Sequence, residues 1–169
     1  MKLPRWWTDL VRALAARRLP PDVKSVVAAA PGERLLAWGR DAAGAPLVAT
    51  NAGLWGYGER LGWTEIDHVS WAEDTLTLLG IDGEIRAITV EDPRGLPATV
   101  HGQVDGSVLA SRAVPLLADG RGVTVIARRA VDGAVLWRLR YDPGVPTTDP
   151  ALTGQAEQLL AQMREDLGV

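Results

Sequence analysis

The sequence predicts a mainly β, α+β protein, an antiparallel sheet or barrel flanked by helices at both ends. Three observations predict it. Between Glu33 and Tyr141 short apolar runs alternate with turn residues at intervals of about ten, the spacing of hairpin-connected strands. Before and after that region the apolar residues recur at three and four, the spacing of one helical face. Proline and glycine mark the changes of regime, at Pro20-Pro21, Pro31-Gly32 and Asp142-Pro143-Gly144. The expected organisation is a basic amphipathic helical arm over 1–31, an antiparallel β domain over 32–149, and a C-terminal helix over 150–169 packed on it.

A chain of 169 residues accommodates one domain of ordinary size with a short appendage. At that length it can bury ~70% of its unfolded surface without metal or disulfide support. It contains no cysteine, which excludes disulfides, thiolate zinc sites, iron–sulfur clusters and cysteine nucleophiles. The longest apolar runs, such as Val26–Ala30, are too short to span a membrane or form the core of a secretion signal, so a cytoplasmic location is expected. The net charge of −3 is unevenly spread. Residues 1–30 carry +4 and the remainder −7. An acidic body disfavours nucleic acid, whose affinity comes from basic groups on phosphates, and neither a nucleic-acid partner nor a metal or other cofactor is expected.

In the arm, Leu3, Trp6, Trp7, Leu10, Val11 and Leu14 share one helical face opposite Arg5, Thr8, Asp9 and Arg12, which predicts a helix over 4–18. Arg17 and Arg18 suit its C-terminal end, and Pro20-Pro21 stops it. Three fates are open to this face: docking on the chain's own sheet, a protein partner, or weak contact of residues 1–19 with an anionic membrane. The last draws on Trp6, Trp7, Arg12, Arg17 and Arg18 and would make the protein peripheral to the membrane. Asp22 is positioned to cap a second short helix reaching Ala30.

Ten strands are expected, at 34–39, 47–50, 53–57, 61–63, 68–72, 76–79, 85–90, 108–114, 123–131 and 135–141. Asp82-Gly83 and Asp132-Gly133 suit two-residue hairpin turns, Ala43-Gly44 and Gly120 mark looser ones, and Asp105-Gly106 resembles them. Residues 92–103 read as a loop leading into a short helix. A two-residue turn at Asp132-Gly133 sets Arg128 opposite Trp137 as a cation–π pair and gathers Arg129, Arg138 and Arg140 on the other face. A turn at Glu73-Asp74 sets Val69 and Trp71 beside Leu78 and Leu76. In a chain without Phe, Trp38, Trp55, Trp63, Trp71 and Trp137 are expected to fill the core. Asp149-Pro150 opens the last helix, with Leu152, Ala156, Leu159, Leu160, Met163 and Leu167 as its apolar stripe.

Signals of chemistry are few. His68 near Glu65 and Asp67 admits a general acid–base reading in a pocket, and equally a solvated turn histidine, which the change of periodicity around it favours. Gly53–Gly58 is glycine-rich, but no helix opens after it, so a bent or bulged strand is expected rather than a phosphate loop. Arg129, Arg138 and Arg140 form the densest basic cluster of the acidic body. They read either as an anion-binding patch or as a solvated face bridged to carboxylates. No serine-elbow, Walker or zincin motif occurs, and no catalytic residue is assigned.

The stretches Glu33-Arg34-Leu35-Leu36-Ala37-Trp38, Val48-Ala49-Thr50-Asn51-Ala52-Gly53-Leu54-Trp55 and Trp63-Thr64-Glu65-Ile66-Asp67-His68-Val69-Ser70-Trp71 resemble bacterial pleckstrin-homology-like (PH-like) domains, especially small actinobacterial ones. The resemblance covers roughly a third of the chain. It implies a strongly bent antiparallel sheet, a partly open barrel, with the C-terminal helix plugging one corner. It also implies a non-enzymatic interaction or adaptor domain for a protein partner. Members that bind phosphoinositides place several basic residues in the first hairpin loop. Here that loop, 39–46, offers Arg40 beside Asp41 and no further base. The alternative function is a small-ligand binder or enzyme using the barrel mouth near Glu65, Asp67 and His68.

Overall fold

The structure, a computed structural model, describes residues 19–168. The arm helix expected over 4–18, with Trp6, Trp7, Arg12, Arg17 and Arg18, lies outside the described residues. Helix α1 (Pro21–Ala28) is followed by strands β1 (Leu35–Asp41), β2 (Pro46–Thr50), β3 (Gly53–Gly56) and β4 (Glu59–Gly62). A 3-10 turn (Trp63–Glu65) leads to β5 (Ile66–Ala72), β6 (Thr75–Gly80) and β7 (Ile85–Asp92). Then come α2 (Leu96–Ser107), β8 (Val108–Pro115), β9 (Gly122–Arg129), β10 (Val135–Tyr141) and α3 (Pro150–Leu167).

The strands form two antiparallel sheets. The first has seven strands in the order β4-β3-β2-β1-β7-β6-β5, and the second three in the order β10-β9-β8. The first sheet does not close into a barrel, because β4 and β5, joined in sequence by the 3-10 turn, are its two edges. Strand β1 meets β7 only at Arg40↔Asp92 and Asp41↔Val90, across a bulge.

Aliphatic residues fill the core beneath this sheet. Leu47, Leu54, Ile66, Leu76, Leu78 and Val90 come from the strands, and Leu96, Val100 and Val104 from α2, four residues apart on one helical face. The loop with a short helix expected over 92–103 is thus largely helix. Asp105-Gly106, which resembles a turn, lies inside it, because the α2 stripe has a sheet to cover and tertiary packing overrides the weak propensity of Pro97, Gly102 and Gly106. Tryptophan does not fill the core as expected. Only Trp63 is buried among the five, its indole donating to the Thr50 carbonyl at 3.1 Å, while Trp71 is 39% exposed. Trp38 lies under the Arg94 guanidinium at 4.3 Å, and Trp55 donates to Glu33 at 2.9 Å. An indole with a polar edge sits well at a boundary where that edge finds a partner.

Turn chemistry sets the registers. Glu73-Asp74 gives the two-residue loop expected, with Val69↔Leu78 and Trp71↔Leu76. The Asp82-Gly83 and Asp132-Gly133 loops hold three residues rather than two. In each the glycine sits at the last loop position with φ near +85° to +89°, and the aspartate accepts from the amide two residues on. Gly44 and Gly120 occupy the same place in their hairpins, with φ of +80° and +88°. The extra loop residue shifts β9–β10 by one: Arg128 faces Leu136, and Trp137 faces Ala127. The expected Arg128–Trp137 pair is therefore absent, and Trp137 lies under Arg164 of α3 instead. The same shift puts Arg128 on one face with Arg138 and Arg140 and sends Arg129 to the other.

Strand β9 is buried on both faces. Helix α3 packs on β9 and β10, burying Leu152, Ala156 and Met163, so the last helix covers the small sheet rather than a corner of the large one. Helix α1 starts from Pro20 and Pro21, not from an Asp22 cap. The Asp22 carboxylate instead receives Arg40 at 2.7 and 3.1 Å, tying α1 to the first hairpin, and α1 ends at Ala28. No helix among the described residues is long and apolar enough to cross a membrane.

Candidate functional site

The two sheets meet where β5, the α2 C-terminus and the β9–β10 hairpin converge. Arg128 projects from β9 into this junction and is 3% exposed. Its guanidinium donates to the Asp67 main-chain oxygen at 2.9 Å, the Ser107 Oγ at 2.9 Å and the Val104 carbonyl at 3.3 Å. Ser107 in turn donates to Val104 at 2.6 Å. The planar five-donor fork of arginine suits this task, joining a strand edge to the end of a helix whose last carbonyls lack partners. The Asp67 carboxylate stands 3.9 Å from Arg128 and accepts from Arg140 of β10 at 2.7 Å. Burial pulls the Arg128 pKa below its ordinary value, Asp67 opposes that, and the like charges of Arg138 and Arg140 add to it.

Beside this cluster is a cavity of about 270 Å³, walled by Leu79, Ile81, Ile126 and Leu139 and bordered by Asp67, Arg128, Arg138 and Arg140. Arg138 also borders a wider polar cleft of about 800 Å³ between the 3-10 turn, α2 and the β9–β10 loop. Arg129 faces that second cleft, with Glu65 and Asp132. A third space, of about 310 Å³, lies between the β3–β4 hairpin and strands β6 and β7, bordered by Leu47, Leu54, Leu61, Leu78 and Ile88.

The residues expected to act together are therefore divided. Arg138 and Arg140 share one face with Arg128, whereas Arg129 does not join them. Glu65 accepts from the Gly62 amide and Asp67 holds Arg140, while His68 is exposed within β5, opposite Leu79, and borders none of these three spaces. Glu65, Asp67 and His68 form no common pocket. Gly53–Gly56 is strand, and Tyr57-Gly58 is a two-residue turn with both φ positive, so the glycines there serve a hairpin and not a phosphate loop. Gly53 is needed for close approach, since a Cβ would stand 2.4 Å from the Leu61 carbonyl oxygen. Among the described residues no group of three or more His, Asp or Glu is placed to hold a metal ion.

Sequence reasoning passed over Arg128 and Ser107 as members of the site. The available signal was the first of two arginines after the run Val123–Ala127, where a strand buried on both faces must satisfy any charge it carries.

Comparison with protein-family models, with curated proteins and with solved structures gives no match.

Proposed function

We propose that this protein is a non-enzymatic PH-like interaction module. The observation that carries the reading is the strand order of the large sheet: seven consecutive strands run β4-β3-β2-β1-β7-β6-β5, open only between β4 and β5, with α2 packed against β1, β2, β5 and the 3-10 turn. The sequence resemblance implies a strongly bent antiparallel sheet with the C-terminal helix plugging one corner, and a bent meander with a helix at its open side supports the coarser part of that expectation. In this reading α2, not the C-terminal helix, is the capping helix, and the three-stranded sheet with α3 is an addition that widens the surface offered to a partner. The first hairpin loop is not its ligand site, because Arg40 is held by Asp22 and Asp41 is buried. The binding role itself comes from likeness of fold.

The full chain immobilised in extract of its native cell is expected to retain a protein in stoichiometric amount, and the purified pair is expected to bind in direct titration. Catalytic turnover lost on His68→Ala, with no such pair formed, would overturn this reading in favour of an enzyme.

A further inference from the structure

We propose that the cavity between the two sheets binds a phosphomonoester carried on a compact apolar group, with Arg138 and Arg140 as its anion ligands. This goes beyond the PH-like reading, because half of the cavity belongs to the three-stranded sheet, and it stands or falls separately from that reading.

The charges call for an anion. Three guanidinium groups, Arg128, Arg138 and Arg140, border the cavity against one carboxylate, Asp67, which leaves a formal charge of +2. Two further acidic groups lie outside the lining: Asp105 on α2, engaged with His101 at 3.0 Å, and Asp82, between the cavity residues Ile81 and Gly83, which accepts from the Glu84 amide at 3.0 Å. Arg128 directs its donors to Asp67, Ser107 and Val104, and so contributes charge rather than a free fork. Asp67 holds Arg140 through one nitrogen at 2.7 Å, fixing it at the rim with other donors unspent. Arg138 is half-buried and makes no hydrogen bond or ion pair with any described residue. Three like charges this close repel one another, and a dianion matches their excess where a carboxylate would leave one charge uncompensated. Guanidinium forks also fit the phosphate oxygens two at a time.

The walls specify the rest of the ligand. Leu79, Ile81, Ile126 and Leu139 line an open space of about 270 Å³, room for a small ring or branched chain beside the arginines. A free phosphomonoester and a lipid phosphomonoester share this chemistry, and they are separated by experiment.

Calorimetric titration of the full chain with phenyl phosphate, with benzoate as the carboxylate control, is the test. Phosphatidylcholine vesicles with and without phosphatidic acid form the lipid arm. Phenyl phosphate is expected to bind, with Arg138→Ala and Arg140→Ala each weakening it about tenfold or more. Arg129→Ala, on the other face of the same hairpin, is expected to leave binding unchanged. Binding only to phosphatidic acid vesicles, lost on Arg138→Ala, would equally support the site and assign its phosphate to a lipid. Three results would each overturn the proposal: no binding in either arm, equal affinity for benzoate, or equal weakening by Arg129→Ala. Circular dichroism of each variant establishes that it is folded, which is expected at Arg138 because its guanidinium supports no described contact.

Discussion

Arg128 on β9 donates to the main-chain oxygen of Asp67 on β5 at 2.9 Å, across 61 residues of sequence. This bond, with those to Ser107 and Val104, joins the large sheet, α2 and the small sheet at one atom group. Burying a guanidinium is tolerable only when its donors are satisfied, and here they are met by a strand carbonyl, a helix-end carbonyl and a hydroxyl. Among the described residues no buried side-chain nitrogen or oxygen lacks a partner.

Arg128→Ala should therefore cost about 3 kcal/mol, since the Asp67 main-chain oxygen and the Ser107 Oγ lose the donor they face and Val104 keeps only that of Ser107. Asp67→Asn keeps the main-chain oxygen but removes the carboxylate facing both Arg140 and the buried Arg128, so a smaller loss of about 1–2 kcal/mol is expected. Urea denaturation of both variants checks the contrast. Equal losses would mean that the Asp67 carboxylate, rather than its backbone, carries the junction.

A second polar tie governs behaviour in acid. Asp41 is buried, and its carboxylate accepts from the Tyr57 hydroxyl at 2.7 Å and from the amides of Ala43 and Ala45 at 3.0 and 2.7 Å. The Tyr57 hydrogen bond is the foremost influence holding its pKa below the ordinary 3.8; burial opposes it and the amides assist. A carboxyl depressed in the folded state contributes stability that is present above its unfolded pKa and lost as pH falls through the folded one. Tyr57→Phe raises the folded value, so the added stability at neutral pH shrinks by about 1 kcal/mol. Denaturation midpoints between neutral pH and the acid limb measure this. A variant with wild-type stability at neutral pH would show that the hydroxyl contributes nothing.

How much of this was legible in the sequence differs from element to element. All ten strands could be located, because their apolar runs end at Asp-Gly, Ala-Gly and Glu-Asp turns. The Val69↔Leu78 register followed from Glu73-Asp74 alone. Asp132-Gly133 misled, since Asp-Gly serves a two-residue loop and the last two places of a three-residue loop equally well, and one residue of slip exchanges the faces of a strand. That exchange concealed the site: it moved Arg128 from Trp137 to Asp67 and separated Arg129 from Arg138 and Arg140. Helix α2 was obscured by Pro97, Gly102 and Gly106, although Leu96, Val100 and Val104 carried its spacing. The closeness of Asp67 and Arg140 is a property of the assembled sheets, and no local pattern announces it.

Helix α3 should be indispensable to the small sheet. It buries Leu152, Ala156 and Met163 over strands whose own Val123, Val125 and Ala127 are buried. Full burial of each large apolar side chain is worth ~1.5–3 kcal/mol. Deleting residues 150–169 should abolish a single cooperative melt, because Val125 and Ala127 would face water while Arg128 still held β9 to the large sheet. Calorimetry reads this directly, and an unchanged melting midpoint would show that α3 is a free appendage.

Two glycines should respond in opposite directions to the same change. At Gly154, inside α3, an added Cβ meets nothing within 4 Å, and glycine in a helix interior is about 1 kcal/mol worse than alanine. At Gly53, paired with Gly62 across β3–β4, the Cβ would come within 2.4 Å of the Leu61 carbonyl oxygen and 3.0 Å of the Arg60 Cγ, so the two strands must separate. The seam there is the sheet's open edge, and strain at it is relieved only by giving up ladder hydrogen bonds. Gly154→Ala should raise stability by about 0.5–1 kcal/mol and Gly53→Ala should lower it by about 1–3 kcal/mol. Urea midpoints at constant slope report both. A Gly154→Ala variant less stable than wild type would show that this helix position does not have the free space that the described residues leave it.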